Sequence, residues 1–296
     1  MQTLESLSRK LKGAGELNSI VRTMKAMAAA NIGQYEKAVE SLGDYYETVA
    51  LGIIGYFDTN KIELSNEMEG ANGKREKSIC AIVFGSDQGF VGQFNDSLTT
   101  YVSEYLNEIP ATKKIWTVGA RIPLLLVDAG QHVTEKFSLP SAIAAVTALI
   151  GSILLHVQER HEQGSLDEFY IFYNRFIPGA LYEPTCERLL PLDEKWRQEL
   201  TRQKWPTKKI PQIIGDGKNT IAKLIEEFLF VTLYRACAES LASENRSRLA
   251  AMQRAEKNIG ELLEDLGHTY HRLRQSSIDE ELFDVVSGFE ALKGDT

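Results

Sequence analysis

The chain has 296 residues, enough for one large domain or two smaller ones with an ample core. Its apolar fraction of 43% and charged fraction of 25% are those of an ordinary globular protein, and a net charge of −8 argues against a general affinity for nucleic acid. Cys80, Cys186 and Cys237 are widely separated and form no CxxC pair, and the opening MQTLESLSRKLKG carries neither an apolar signal core nor an Arg/Ser-biased transit segment. A cytoplasmic protein with reduced thiols is expected.

Residues 1–57 carry a long helical pattern with Leu4, Leu7, Leu11, Ala14, Val21, Met24, Ala28, Ile32, Tyr35, Val39, Leu42, Tyr46, Val49 and Ile53 on one stripe and no proline. The run Ala28-Ala29-Ala30 leaves little side-chain bulk, so a second helix could approach closely there. Residues 58–77 are polar and rich in Asn and Gly, which reads as a linker. The texture changes at Ser78. Ser78–Phe84 is a short, wholly apolar run ending in Gly85-Ser86-Asp87, the pattern of a strand buried on both faces. Residues 95–109 predict a helix capped by Asn95 or Asp96, Lys114–Val118 a strand, and Pro123–Val127 a short apolar segment. His132–Leu139 predicts a weaker strand. Pro140-Ser141 would open a helix over 142–158, apolar but too interrupted to span a bilayer, and therefore packed on a sheet. Glu168–Tyr173 reads as a further strand and Thr185–Leu192 as an edge strand. Strand and helix thus alternate over residues 78–216, which predicts an α/β layer domain with a largely parallel sheet.

From Gly217 to Lys293 there is no proline, and glycine recurs only at Gly260, Gly267 and Gly288. Apolar residues return in steps of three and four, predicting one helix on the order of 110 Å long. No compact domain holds such a rod, and two narrow-seamed helices at opposite ends of a chain most simply pair antiparallel. Two independent helical arms are the alternative. The fold class predicted is α/β: a long antiparallel coiled coil of N- and C-terminal helices with an inserted Rossmann-like domain, divided as 1–57, 58–77, 78–216 and 217–296.

The candidate chemistry is thin. Gly85-Ser-Asp-Gln-Gly-Phe-Val-Gly-Gln-Phe-Asn95 follows a strand, but its spacing is neither GxGxxG nor GxxxxGK[ST]. Gly217-Lys218 fails as a P-loop because Gln212 stands at the first glycine position. His268 and His271 with Glu264 could share a helix face as metal ligands, yet they lie on a long polar face that reads as solvated. No nucleophile–base signature is visible, so no catalytic, cofactor or metal site is expected.

Three stretches resemble the γ subunit of F-type ATP synthases. They are Ile20-Val-Arg-Thr-Met-Lys-Ala-Met-Ala-Ala-Ala30, the Gly85–Asn95 loop, and Ser243–Asn258 followed by Tyr270–Ile278 and Glu281–Leu292. The order of parts is similar too. Within the loop, Gln88, Val91 and Gln93 replace the family's usual arginine, cysteine and glycine, and the chain is acidic where many members are basic, which suggests a divergent, alternate-type member. The resemblance implies a non-catalytic central-stalk rotor that couples ion-driven c-ring rotation to conformational change at the β-subunit catalytic sites. Its implied partners are the α3β3 hexamer of F1, an ε-type subunit and the c ring. It would contact the membrane only through the complex, at the cytoplasmic face of a bacterial inner membrane. Carried over by position, Met24 and Arg248 would meet the moving lever of the β subunits, and Arg274, Gln275 and Asp279 the polar β loops. Phe289 and Leu292 would turn in the apolar sleeve at the top of the hexamer. Simple coiled-coil packing remains the alternative for Met24, and an exposed polar face for Arg248 and Gln275. A static coiled-coil scaffold with an α/β adaptor domain is the alternative for the whole chain.

Overall fold

The computed structural model describes residues 3–60, 77–140, 142–177, 179–192, 194–201, 205–207, 209 and 211–293; of the expected linker, residues 61–76 lie outside the described residues. Two helices dominate. Helix α1 (Leu4–Asn60) has 57 residues, and the last helix, α6 (Gly217–Lys293), has 77. The chain divides into two compact units, residues 29–248 and residues 1–28 with 249–296, so each long helix contributes to both.

The larger unit is built on a five-stranded sheet. Its strands are β1 (Ser78–Phe84), β2 (Thr112–Val118), β3 (Val133–Phe137), β4 (Glu168–Arg175) and β5 (Glu183–Leu190), in the spatial order β3-β2-β1-β4-β5. All pairs are parallel except β4 with β5. Strand β1 is central and every one of its residues is buried, as its unbroken apolar run requires. Alternation then sorts it between two layers. Ile79, Ala81 and Val83 join a core with Leu98, Val102 and Leu106 of α2 (Phe94–Asn107) and Ile122 and Leu126 of α3 (Ile122–Asp128). Cys80, Ile82 and Phe84 join the opposite core with Val146, Ile150, Ile153 and Val157 of α4 (Val146–Glu162), Leu233, Ala236, Cys237 and Leu241 of α6, and Tyr35 of α1. Helix α6 is thus part of the sheet's own core, where each fully buried Ile, Leu or Phe contributes about 1.5–3 kcal/mol relative to an exposed one.

Within this unit α1 and α6 run antiparallel. Asn31 and Glu36 lie beside Asn245 and Arg246, Tyr45 beside Glu227, and Gly52 beside Leu224. A third core forms where Val49, Ala50, Ile53, Ile54 and Phe57 of α1 meet Phe228 of α6 and Leu200 of α5 (Glu194–Thr201).

Several elements differ from the sequence reading. Asn95 and Asp96 do not cap α2; the helix starts after Gln93, whose side chain makes no cap bond, so both lie inside the first turn, and the Asn95 amide bonds Ser86. The apolar segment at 123–127 is helix α3, which Pro123 enters at its first turn, where a missing N–H costs nothing. Residues 143–145 form a 3₁₀ turn, and α4 starts later and runs further than expected, to Glu162. Strand β5 begins two residues early and reaches only Leu190; as an antiparallel edge it tolerates Pro184. Segment 143–162 is long and apolar enough to cross a membrane, but its buried side chains face the sheet.

In the smaller unit, Leu7, Ala14 and Ala28 of α1 are buried and Val21 is half-buried, a seven-residue recurrence that marks a coiled-coil seam. Met252 of α6 is 3% exposed. Glu256 of α6 accepts a hydrogen bond from Arg22 at 2.9 Å and pairs with Lys25, which locks the lateral register of the two helices here.

Candidate functional site

In a parallel sheet of this order, ligands enter the crevice where loops leave neighbouring strands in opposite directions, here beyond the ends of β1 and β4. That crevice is closed by the chain itself. The Ser86 N–H donates to Asn95 Oδ1 at 3.0 Å, and Asn95 Nδ2 donates back to Ser86 Oγ at 2.8 Å. Asn174, at the end of β4, donates to the Phe94 carbonyl at 3.0 Å. From α6, Ser240 Oγ donates to the Phe84 carbonyl at 3.2 Å and Ser247 Oγ to the Val91 carbonyl at 2.5 Å. Val91 is buried, while Phe90 is held at φ 62° and is 68% exposed. Gly85 is needed for close approach: a Cβ there would lie 2.5 Å from Ile122 Cβ. Glycine is also needed at Gly119, whose φ is +104° with Ser86 backbone atoms 2.9 Å from an added Cβ. A loop that sequence reading weighed for phosphate is instead a clasp that fastens the sheet to α6.

Beside this clasp sits a buried ion pair. Arg248 Nη2 donates to Glu244 Oε1 at 2.6 Å, one helical turn apart, with side chains only 12% and 5% exposed. Arg248 Nε is buried and has no hydrogen-bond partner among the described residues. Burial pushes the Glu244 carboxyl up to about 7; Asp87 adds to the rise and Arg248 opposes it. Tyr35 of α1 is raised too, by burial first and then by Glu244 and Cys237.

A second charged cluster ties the sheet edge to α6. Glu187 of β5 accepts a hydrogen bond from Tyr173 at 2.7 Å and pairs with Arg175 of β4 and, at 3.4 Å, with Arg235 of α6. Glu239, one turn along α6 from Arg235, lies 3.3 Å from Arg175 and 3.7 Å from Arg235. Two guanidinium groups and two carboxylates therefore close a ring across three elements. Glu187 and Arg235 also line a cavity of about 670 Å³ whose other wall is Tyr46, Trp196 and Phe228. Among the described residues no cluster of three His, Cys, Asp or Glu side chains could hold a metal, and His268 and His271 are exposed.

The sequence-predicted contact residues fall in different settings. Met24 is half-buried, Arg248 is turned into its pair with Glu244, and Arg274, Gln275 and Asp279 are exposed. Phe289 and Leu292 fall in the last turns of α6, and their side chains lie outside the described residues. Just before them Ile278, Leu282, Phe283, Val285 and Val286 are 47–71% exposed, an apolar surface. Sequence reading missed Glu244, the Ser86–Asn95 staple and the four-charge ring. Two of these carried a signal, the i,i+4 spacings of Glu244 to Arg248 and of Arg235 to Glu239.

The sheet's crevice is filled by its own loop and fastened to α6, and the two longest helices of the chain have 57 and 77 residues. A family model described as ATP synthase matches residues 3–292, and the chain belongs to that family. The ATP synthase gamma chain of Syntrophus aciditrophicus is 28% identical over 304 residues, covering 99% of each chain. That of Pasteurella multocida is 27% identical over 298 residues, covering 99% of this chain and all of the other. Among solved structures, a chain of the rotor of Euglena gracilis mitochondrial ATP synthase is similar in fold, with a TM-score of 0.56 at 17% identity, over 93% of this chain and 98% of that one.

Proposed function

We propose that this chain is the central-stalk rotor subunit of an F-type ATP synthase, a non-catalytic shaft. It couples ion-driven rotation of a c ring to conformational change at the catalytic sites of an α3β3 hexamer. The observation that carries the reading is the family match along nearly the whole chain, including both long helices. Physically, a shaft must carry torque between distant sites without yielding. Here the α/β layer is fused to α6 by a shared core, a hydrogen-bonded clasp and a ring of charges. Such a rigid element lets events at one end bias the other.

In this reading the exposed apolar end of α6, with Phe289 and Leu292 beyond it, turns inside an apolar sleeve formed by the hexamer. Arg274, Gln275 and Asp279 meet polar loops of the catalytic subunits, and Met24 and Arg248 meet their moving lever. An ε-type subunit docks lower on the shaft. Attachment to the membrane is indirect, through the c ring, at the cytoplasmic face of a bacterial inner membrane.

Native mass spectrometry of the complex captured through a tag on this chain tests the reading. One copy with three α-type and three β-type subunits supports it. A homodimer free of ATPase subunits would favour a static scaffold instead.

A further inference from the structure

We infer that Glu244 is a positioning residue for Arg248, holding its guanidinium on the shaft by a buried pair that local protonation releases. The inference rests on the reading above in one respect, that Arg248 is a contact with the catalytic subunits.

The geometry comes first. A free arginine on a helix samples many rotamers, and ordering it costs up to about 2 kcal/mol of side-chain entropy. Arg248 has that freedom removed by a 2.6 Å charge-assisted bond to Glu244, in a site where neither side chain is more than 12% exposed. The pairing uses one Nη nitrogen and leaves Nε buried with no partner among the described residues. The guanidinium is therefore held in one orientation, and the 12% of the side chain that stays exposed is the part an acceptor on another chain can reach.

The surroundings make the pair sensitive to protons. Two other elements face Glu244, α1 with Tyr35 and the loop after β1 with the Asp87 carboxylate, while Arg248 and the Cys237 thiol share α6 with it. Arg248 is the cation among them, and Asp87 works against ionisation of Glu244. Burial outweighs Arg248, so the carboxyl titrates at about 7, within the working range of a cell interior. When Glu244 is protonated the Coulombic hold on Arg248 is lost, and the arginine is no longer presented in one orientation.

The test uses the assembled complex carrying wild type, Glu244→Gln, Glu244→Asp or Arg248→Ala, with ATP-driven ion pumping divided by ATP hydrolysis as the coupling ratio at pH 6 and pH 8. Glu244→Gln keeps the shape but cannot ionise. At pH 8 its coupling ratio should fall at least about twofold below wild type, as positions along a coupling element do, and at pH 6 the two should converge. Glu244→Asp should recover part of the loss, and adding Arg248→Ala to Glu244→Gln should lower coupling no further. A wild-type to Gln ratio that is the same at both pH values overturns the inference while Arg248→Ala still uncouples. If Arg248→Ala couples normally, the contact role of Arg248 is wrong and the inference falls with it. Should Glu244→Gln fail to assemble, the Asp variant decides: an unchanged pH profile in it counts against the inference.

Discussion

Stability of the full chain should depend on pH through Glu244, and the size of the effect follows from its burial. The group's folded value is about 7, raised chiefly by desolvation above the 4.5 of an unperturbed glutamate. A raised folded value means that the folded chain binds the proton more tightly than the unfolded chain. Stability is therefore fully present below the unfolded value and is lost as pH rises through the folded one. The full gap corresponds to about 3 kcal/mol, of which roughly 2–3 kcal/mol is lost between pH 5 and pH 8. Glu244→Gln removes this dependence, because the amide stays neutral and still offers an oxygen to Arg248. Urea unfolding followed by circular dichroism at half-unit pH steps gives the difference between the two proteins. That difference should move in favour of Glu244→Gln by about 2–3 kcal/mol across the interval. A difference that stays constant within about 0.5 kcal/mol would show that Glu244 is not desolvated in the folded chain, and the reasoning would fail.

Other perturbations test the remaining joints. Gly85→Ala places a methyl 2.5 Å from Ile122 Cβ and 2.6 Å from its Cγ2 and should cost about 1–3 kcal/mol in urea unfolding; Ile122→Ala in the same chain removes only the Cγ2 contact and should relieve part of it. Glu187→Ala removes the shared acceptor of Tyr173, Arg175 and Arg235 and should cost about 1–3 kcal/mol; a double-mutant cycle with Arg235→Ala should show that the two losses are not additive. Hydrogen bonding from Lys25, and then Arg22, lowers the Glu256 carboxyl, so its contribution is present above the ordinary carboxylate range and is lost in acid. Amide exchange on α1 near Arg22 should accelerate in Glu256→Gln at neutral pH and low salt, and match wild type in high salt. Arg248→Glu sets a second carboxylate against the buried Glu244 and should weaken both the stability of the chain and coupling in the complex; unchanged ATP-driven pumping would remove Arg248 from the contact surface.

How much of this was legible in the sequence depends on how local the cause is. The bounds of α6 were readable because no proline or early glycine interrupts its stripe, and both helix and stripe follow from spacing alone. Strand β1 was readable because burial on both faces leaves an unbroken apolar run. Helix α3 was not, since Pro123–Val127 reads only as a short apolar segment until the neighbouring core claims Ile122 and Leu126. The role of Asn95 was hidden for another reason. The same amide can cap a helix or staple a turn, and only the position of Ser86 across the loop decides between them. Glu244 and Arg248 were visible as a helical pair, but their burial comes from α1 and the loop after β1, contacts formed across long stretches of sequence.

The most direct test of a rotor is to watch it turn. With the hexamer fixed to a surface and a bead attached through Gln158→Cys on the exposed side of α4, addition of ATP should drive rotation in one direction that stops when ATP is withdrawn. ATP hydrolysis that continues while the bead stays fixed, in complexes that retain this chain, would contradict the account.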